Sequence, residues 1–291
     1  MQEIKPFIDP VQEPRPDLTN PSLTDDRPPR ANLWFYAGLL LFAYLPTQLL
    51  LVVPLLAIAT LFVVEPGMTQ EQMELALGTF LQSELGLILL ILTGGLAGVI
   101  TIAAAFLWPG LWNRLSRSEN SKDFTDWLAW YRPEWLGLWV IPLATAALSV
   151  VLSNLAVLVF GNVEVELQTM LFESRAVALA AIIPVALIAP LAEELVFRGA
   201  LYNALLPDRK IDLPEWRRHL MPFVITSLAF TAVHLLAGFE SIGSLILLLM
   251  LSGYLGLLRF VTGSVRAPVV AHMTWNLLAA IGLALSAFTN V

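Results

Sequence analysis

Glu193 and Glu194 stand side by side after a run, Ala176 to Ala192, that carries no charge, and Arg198 follows one helical turn later. Charged groups in or near a hydrocarbon layer cost at least a few kcal/mol each and usually face a protein interior or a water-filled cavity. Three of them this close together imply use. In a helix Glu194 and Arg198 are i and i+4 on one face, in the order that favours an ion pair. Glu193 is rotated by about 100° and cannot share that pairing well. The spacing therefore predicts that Arg198 holds Glu194 and that Glu193 is left for other work. The plainer alternative is a helix end whose charges sit among headgroups.

Two other apolar runs carry imidazoles. His234 lies four residues after Phe230, and His272 lies four residues before Asn276, again on one helix face. The remaining histidine, His219, sits beside Arg217 and Arg218 and reads as interfacial. A single intramembrane histidine is usually a packed, hydrogen-bonded group. An acidic pair, two histidines and an asparagine from three runs favour one shared site instead. A carboxylate in an apolar pocket beside a second carboxylate suits a general base. A nearby imidazole can share the task of polarising a water, and a second histidine with an asparagine can donate two hydrogen bonds to an oxyanion. These parts describe amide hydrolysis by an activated water. Ser252-Gly253 lacks the preceding glycine of rhomboid-type serine proteases. No aspartate lies in a span, against an aspartyl protease, and His-Glu-x-x-His is absent, against that zinc type. The chain has no cysteine, which excludes thiolate nucleophiles and disulfides.

The elements that position these groups follow from composition. Of 291 residues 57% are hydrophobic and 13% charged, as in a polytopic membrane protein. The expected fold is all-α, a transmembrane helical bundle of about seven to eight spans with a membrane-embedded polar cavity. Residues 1–32 read as a Pro-rich, polar tail without a signal peptide. Residues 33–175 read as N-terminal spans with an amphipathic surface segment at 65–84, and residues 176–291 as the core that holds the candidate site. Pro46 and Pro54 are expected to kink the first run or to let part of it lie along the interface. Every Lys and Arg except Arg175 and Arg198 falls on one side if seven spans start with the N-terminus inside, including Arg259 and Arg266. Counting rise per residue puts Glu193 and His234 about 20 Å from the inner helix ends, but His272 and Asn276 only about 8–14 Å, a mismatch in depth.

Three motifs are shared with a known family. Glu193-Glu194-Leu-Val-Phe-Arg198, Phe230-Thr-Ala-Val-His234 and His272-Met-Thr-Trp-Asn276 resemble the CPBP intramembrane proteases, which include CAAX prenyl endopeptidases and bacteriocin-processing enzymes. Phe197-Arg198-Gly199, Thr262-Gly263-Ser264 and Ala267-Pro268 resemble their flanks. The resemblance runs from Ala176 to the C-terminus. It implies a glutamic-type endopeptidase in which Glu193 activates water with His234, His272 and Asn276 form the oxyanion site, Glu194 and Arg198 support Glu193, and Phe230 shapes the pocket. No cofactor is then required. Its partners would be the bilayer and a membrane-associated protein or peptide substrate, not nucleic acid, and its location a bacterial inner membrane with the N-terminus cytoplasmic. Two alternatives stay open: a metal-dependent protease with Glu193, His234 and His272 as ligands, and a non-catalytic membrane partner or proton-coupled carrier.

Overall fold

A hydrocarbon layer offers no water to backbone N–H and C=O groups, so long apolar runs satisfy them internally as helices. The computed structural model describes residues 28–116, 122–131, 135–161, 174–208, 210–236 and 241–289, and the regular structure among them is helical. The helices are α1 (Arg30–Val63), α2 (Gln70–Gln82), α3 (Glu84–Ser116), α4 (Phe124–Leu128), α5 (Trp135–Phe160), α6 (Arg175–Leu205), α7 (Glu215–Leu236), α8 (Ile242–Thr262) and α9 (Arg266–Thr289). Of these, α1, α3, α5, α6 and α8 are long and apolar enough to cross a membrane by length and composition. With α7 and α9, which are 22 and 24 residues long, each of the seven expected runs forms a helix. The chain is an all-α integral membrane protein.

α1 begins at Arg30, so Arg30, Ala31 and Asn32 are helical rather than tail. Residues 1–27 lie outside the described residues, as do Arg117, Arg132 and Arg209 of the charge-distribution argument. Pro46 and Pro54 fall inside α1 without ending it. Its 34 residues would extend about 50 Å, more than a hydrocarbon core needs. Within the amphipathic segment, Thr69 and Gln72 form a reciprocal capping box that starts α2, after a turn in which Gly67 takes φ 97°. No residue of α2 is buried.

The bundle closes around α6. On α1, Leu33, Tyr36, Ala37, Leu40 and Tyr44 recur at helical spacing and are buried. They face α3 and the second half of α6. α3 meets α6 through glycine: a Cβ on Gly98 would sit 2.6 Å from Ile188 Cγ2, and one on Gly95 3.3 Å from Pro184 Cβ. α6 itself widens into two π turns, Pro184–Ile188 and Leu195–Leu201, on either side of the acidic pair. Such turns shift the hydrogen-bond ladder and recur at functional sites. Every residue from Ala192 to Leu205 is buried.

Candidate functional site

The site is built outward from Glu194. Arg198 Nη1 donates to Glu194 Oε1 at 3.0 Å, with both side chains fully buried. The i, i+4 pairing read from the sequence is present across the change from α-helical to π-helical backbone. Burying charge is tolerated when it is paired and further hydrogen-bonded, and Arg198 is. Its Nη2 donates to Ser252 Oγ at 2.6 Å and to the Ser252 carbonyl at 3.0 Å. Its guanidinium carbon lies 4.5 Å from the centre of the Phe230 ring, within cation–π range. The Arg198 carbonyl accepts from Arg259 Nε at 2.9 Å, and Arg259 Nη2 donates to Asn203 Oδ1 at 2.7 Å. Arg259 was expected in an inner loop. It lies in α8 and is buried, because α8 runs on to Thr262 and its guanidinium has buried acceptors on α6.

Both imidazoles reach the acidic pair. His272 Nδ1 lies 3.0 Å from Glu194 Oε1. A carboxylate paired with arginine can only accept, so this nitrogen carries the proton. That turns Nε2 toward Glu193, 3.8 Å from Oε2. His234 Nδ1 lies 2.9 Å from the Phe230 carbonyl. A carbonyl also only accepts, so His234 too has its Nδ1 protonated, and its Nε2 lies 3.9 Å from the same Glu193 oxygen. Two imidazole nitrogens thus converge on one carboxylate oxygen at separations that a water can bridge. Phe230, fully buried, is the common wall. Its ring centre is 4.3 Å from that of His234 and 5.6 Å from that of His272.

The other carboxylate oxygen has a partner that sequence reasoning missed. Tyr44 on α1 donates its hydroxyl to Glu193 Oε1 at 2.7 Å. Glu193 is free of Arg198, as expected, but not free. Tyr44 lies in a charge-free run and belongs to none of the motifs. The available signal was its place on the Leu33–Tyr36–Ala37–Leu40 stripe, where a hydroxyl facing the bundle interior needs an acceptor.

Asn276 lies one turn beyond His272, and its Nδ2 donates to the Val185 carbonyl in the first π turn at 3.0 Å. It is not hydrogen-bonded to either glutamate, so the structure does not bring it into direct contact with the acidic pair. His219 lies apart, with Nδ1 2.8 Å from the Tyr202 hydroxyl and Nε2 3.6 Å from Glu215 Oε2.

His272 stands level with the acidic pair despite the expected mismatch in depth, with ring nitrogens 3.8 Å from Glu193 Oε2 and 3.0 Å from Glu194 Oε1. The turn after α4 passes through Ala129, a left-handed residue with φ 54°, and tucks in beneath the bundle with Trp127 and Leu128 buried. The Ala129 carbonyl accepts from Val265 N at 3.0 Å, and the Tyr131 carbonyl accepts from Ser264 Oγ at 2.6 Å. Ser264, Val265 and Ala267 are buried in consequence. The start of α9 is covered by protein, so a count of residues from that point does not measure the depth of His272.

Residues 175–278 match a family described as type II CAAX prenyl endopeptidase, Rce1-like. The matched region runs from α6 into α9 and contains Glu193, Glu194, Arg198, His234, His272 and Asn276. It leaves out α1 and Tyr44. Neither a curated protein nor a solved structure matches the chain.

Proposed function

We propose, for a chain whose residues 175–278 match the type II CAAX prenyl endopeptidase, Rce1-like, family model, that Glu193 and His234 activate a water to hydrolyse a peptide bond of a membrane-associated protein or peptide. The observation that supports this most is the convergence of both Nε2 atoms on Glu193 Oε2. In this reading Glu193 takes a proton from the water as its oxygen attacks the carbonyl carbon. The tetrahedral intermediate collapses with cleavage of the C–N bond, and the same proton passes to the leaving amine.

His272 and Asn276 serve the oxyanion. With Nδ1–H held by Glu194, a protonated His272 offers Nε2–H, in the way that a buried carboxylate orients a catalytic imidazole. The charges of Glu193 and Glu194 are then balanced by Arg198 and His272, as a buried cluster requires. A second amide hydrogen of Asn276 is the complementary donor. Arg198 acts through Glu194, and Phe230 keeps both rings in place. The substrate would approach from the bilayer of a bacterial inner membrane, with the N-terminus of the protease cytoplasmic. The family description makes prenylated C-terminal peptides the first substrates to try.

No cofactor is required in this reading. The second reading is a metal-dependent protease with Glu193, His234 and His272 as ligands, since the same convergence of two Nε2 atoms on Glu193 Oε2 is a two-histidine, one-carboxylate set. The deciding experiment is cleavage of membrane-anchored peptides, prenylated and not, by purified protein in detergent, wild type against Glu193→Ala, with metal measured on the same samples. Loss of cleavage in a folded variant, from metal-free active protein, is the expected result. Undiminished cleavage would falsify the role of Glu193. Stoichiometric zinc with activity lost on chelation and restored by metal would transfer the reading to a metalloprotease. A proton flux in liposomes, lost in Glu193→Gln and without cleavage, would transfer it to a carrier.

A further inference from the structure

We propose that Tyr44 is a positioning residue of this site, supplied by α1 from outside the matched region, and that its hydroxyl determines which oxygen of Glu193 reacts. The proposal rests on the hydrolase reading above. The terminal torsion of a glutamate is broad and roughly two-fold, so in a roomy pocket either oxygen could face a water. The Tyr44 hydroxyl donates to Oε1 at 2.7 Å, and both side chains are about nine-tenths buried or more, at 6% exposure each. A hydrogen bond to an ionised group in such surroundings is among the stronger kinds. With Oε1 anchored, Oε2 is the oxygen presented to His234 at 3.9 Å and to His272 at 3.8 Å.

Tyr44 is itself held in place. Its ring meets Phe197 edge to face, with centres 6.4 Å apart and planes at 83°. Two turns earlier on the same stripe, Tyr36 donates to the Ala105 carbonyl of α3 at 2.5 Å and so locks the rotation of α1. The two tyrosines resemble each other in burial and in helix face and differ in acceptor. One bonds a backbone carbonyl, the other the reacting carboxylate. α1 therefore completes the proteolytic site rather than merely enclosing it.

The test compares wild type, Tyr44→Phe, Tyr36→Phe and Glu193→Gln as full chains in detergent, on a membrane-anchored peptide that wild type cleaves. Tyr44→Phe is expected to lower kcat by about 10–100-fold, the value of one hydrogen bond to a charged group. KM should stay close to wild type and the melting temperature should fall about as it does in Tyr36→Phe, so that kcat is lost in one of two variants of similar stability, a split that a merely structural role does not produce. Tyr36→Phe should keep kcat and lose thermal stability. Wild-type kcat in Tyr44→Phe overturns the proposal and leaves the hydrolase reading intact, whereas wild-type cleavage by Glu193→Gln removes that reading itself. Should Tyr44→Phe fail to fold, 3,5-difluorotyrosine at position 44 keeps ring and hydroxyl and alters only donor strength. A severalfold change in kcat at constant KM is then expected, and an unchanged kcat overturns the proposal.

Discussion

α6 and α1 are close in length and hydropathy, and both qualify as membrane-crossing by composition, yet the bundle uses them in opposite ways. From Ala192 to Leu205 α6 is buried at every position. α1 buries one stripe and turns Phe42, Leu49, Val53, Leu61 and Phe62 outward. The cause is three charges. Glu193, Glu194 and Arg198 cannot be left against lipid, so α1, α3, α4, α7 and α9 pack around their helix, and α8 adds the bonds from Ser252 and Arg259. α1 brings a single hydroxyl to the site and can keep its other faces in hydrocarbon. A hydropathy average cannot separate two such helices. The placement of a few polar atoms can.

The contrast can be broken or sharpened by substitution. The largest effect is expected from Glu193→Gln, which removes the proposed base and should lower kcat by about 10²–10⁴-fold with stability little changed. A loss of folding instead would make Glu193 a structural charge. Next, Arg198→Leu leaves Glu194 buried without its cation, a change that costs about 3–5 kcal/mol. The melting temperature should fall sharply, and adding Glu194→Gln should recover part of the loss. An unchanged melting temperature would mean that the pair does not hold α6 in the bundle. Gly98→Val forces α3 away from Ile188 and should cost about 1–3 kcal/mol by overpacking, read as a smaller drop in melting temperature. Thr69→Ala removes one side of the capping box on α2 and should cost about 1 kcal/mol. Because α2 buries nothing, hydrogen exchange there should quicken while cleavage holds. Smallest of all, Leu49→Ala on the outer face of α1, 72% exposed, should move the melting temperature by an amount near its error. If it costs as much as Arg198→Leu, the two helices are not built differently after all.

Local pattern alone determined a good deal. Each charge-free run of about 20 residues has the length of a spanning helix, which satisfies its backbone groups within its own segment where there is no water. The i, i+4 relation of Glu194 and Arg198 followed from helix geometry, and so did the separation of Glu193 from that pair. The motif residues of α6, α7 and α9 could be named because intramembrane charge and imidazole are rare enough to stand out. Other features depended on contacts between distant parts of the chain. Tyr44 carries no charge and no motif, and its role exists only because α1 lies against the second π turn of α6. The engagement of Asn276 with the Val185 carbonyl depended on α9 packing against the first π turn, which residue types do not announce. Arg259 looked like a loop cation until α8 proved long enough to bury it. The burial of the start of α9 depended on its hydrogen bonds to the turn after α4. Helical period and charge are properties of neighbours along the chain and can be read there. Which oxygen of a carboxylate meets which nitrogen depends on how helices far apart in sequence cross, and only the packed bundle decides that.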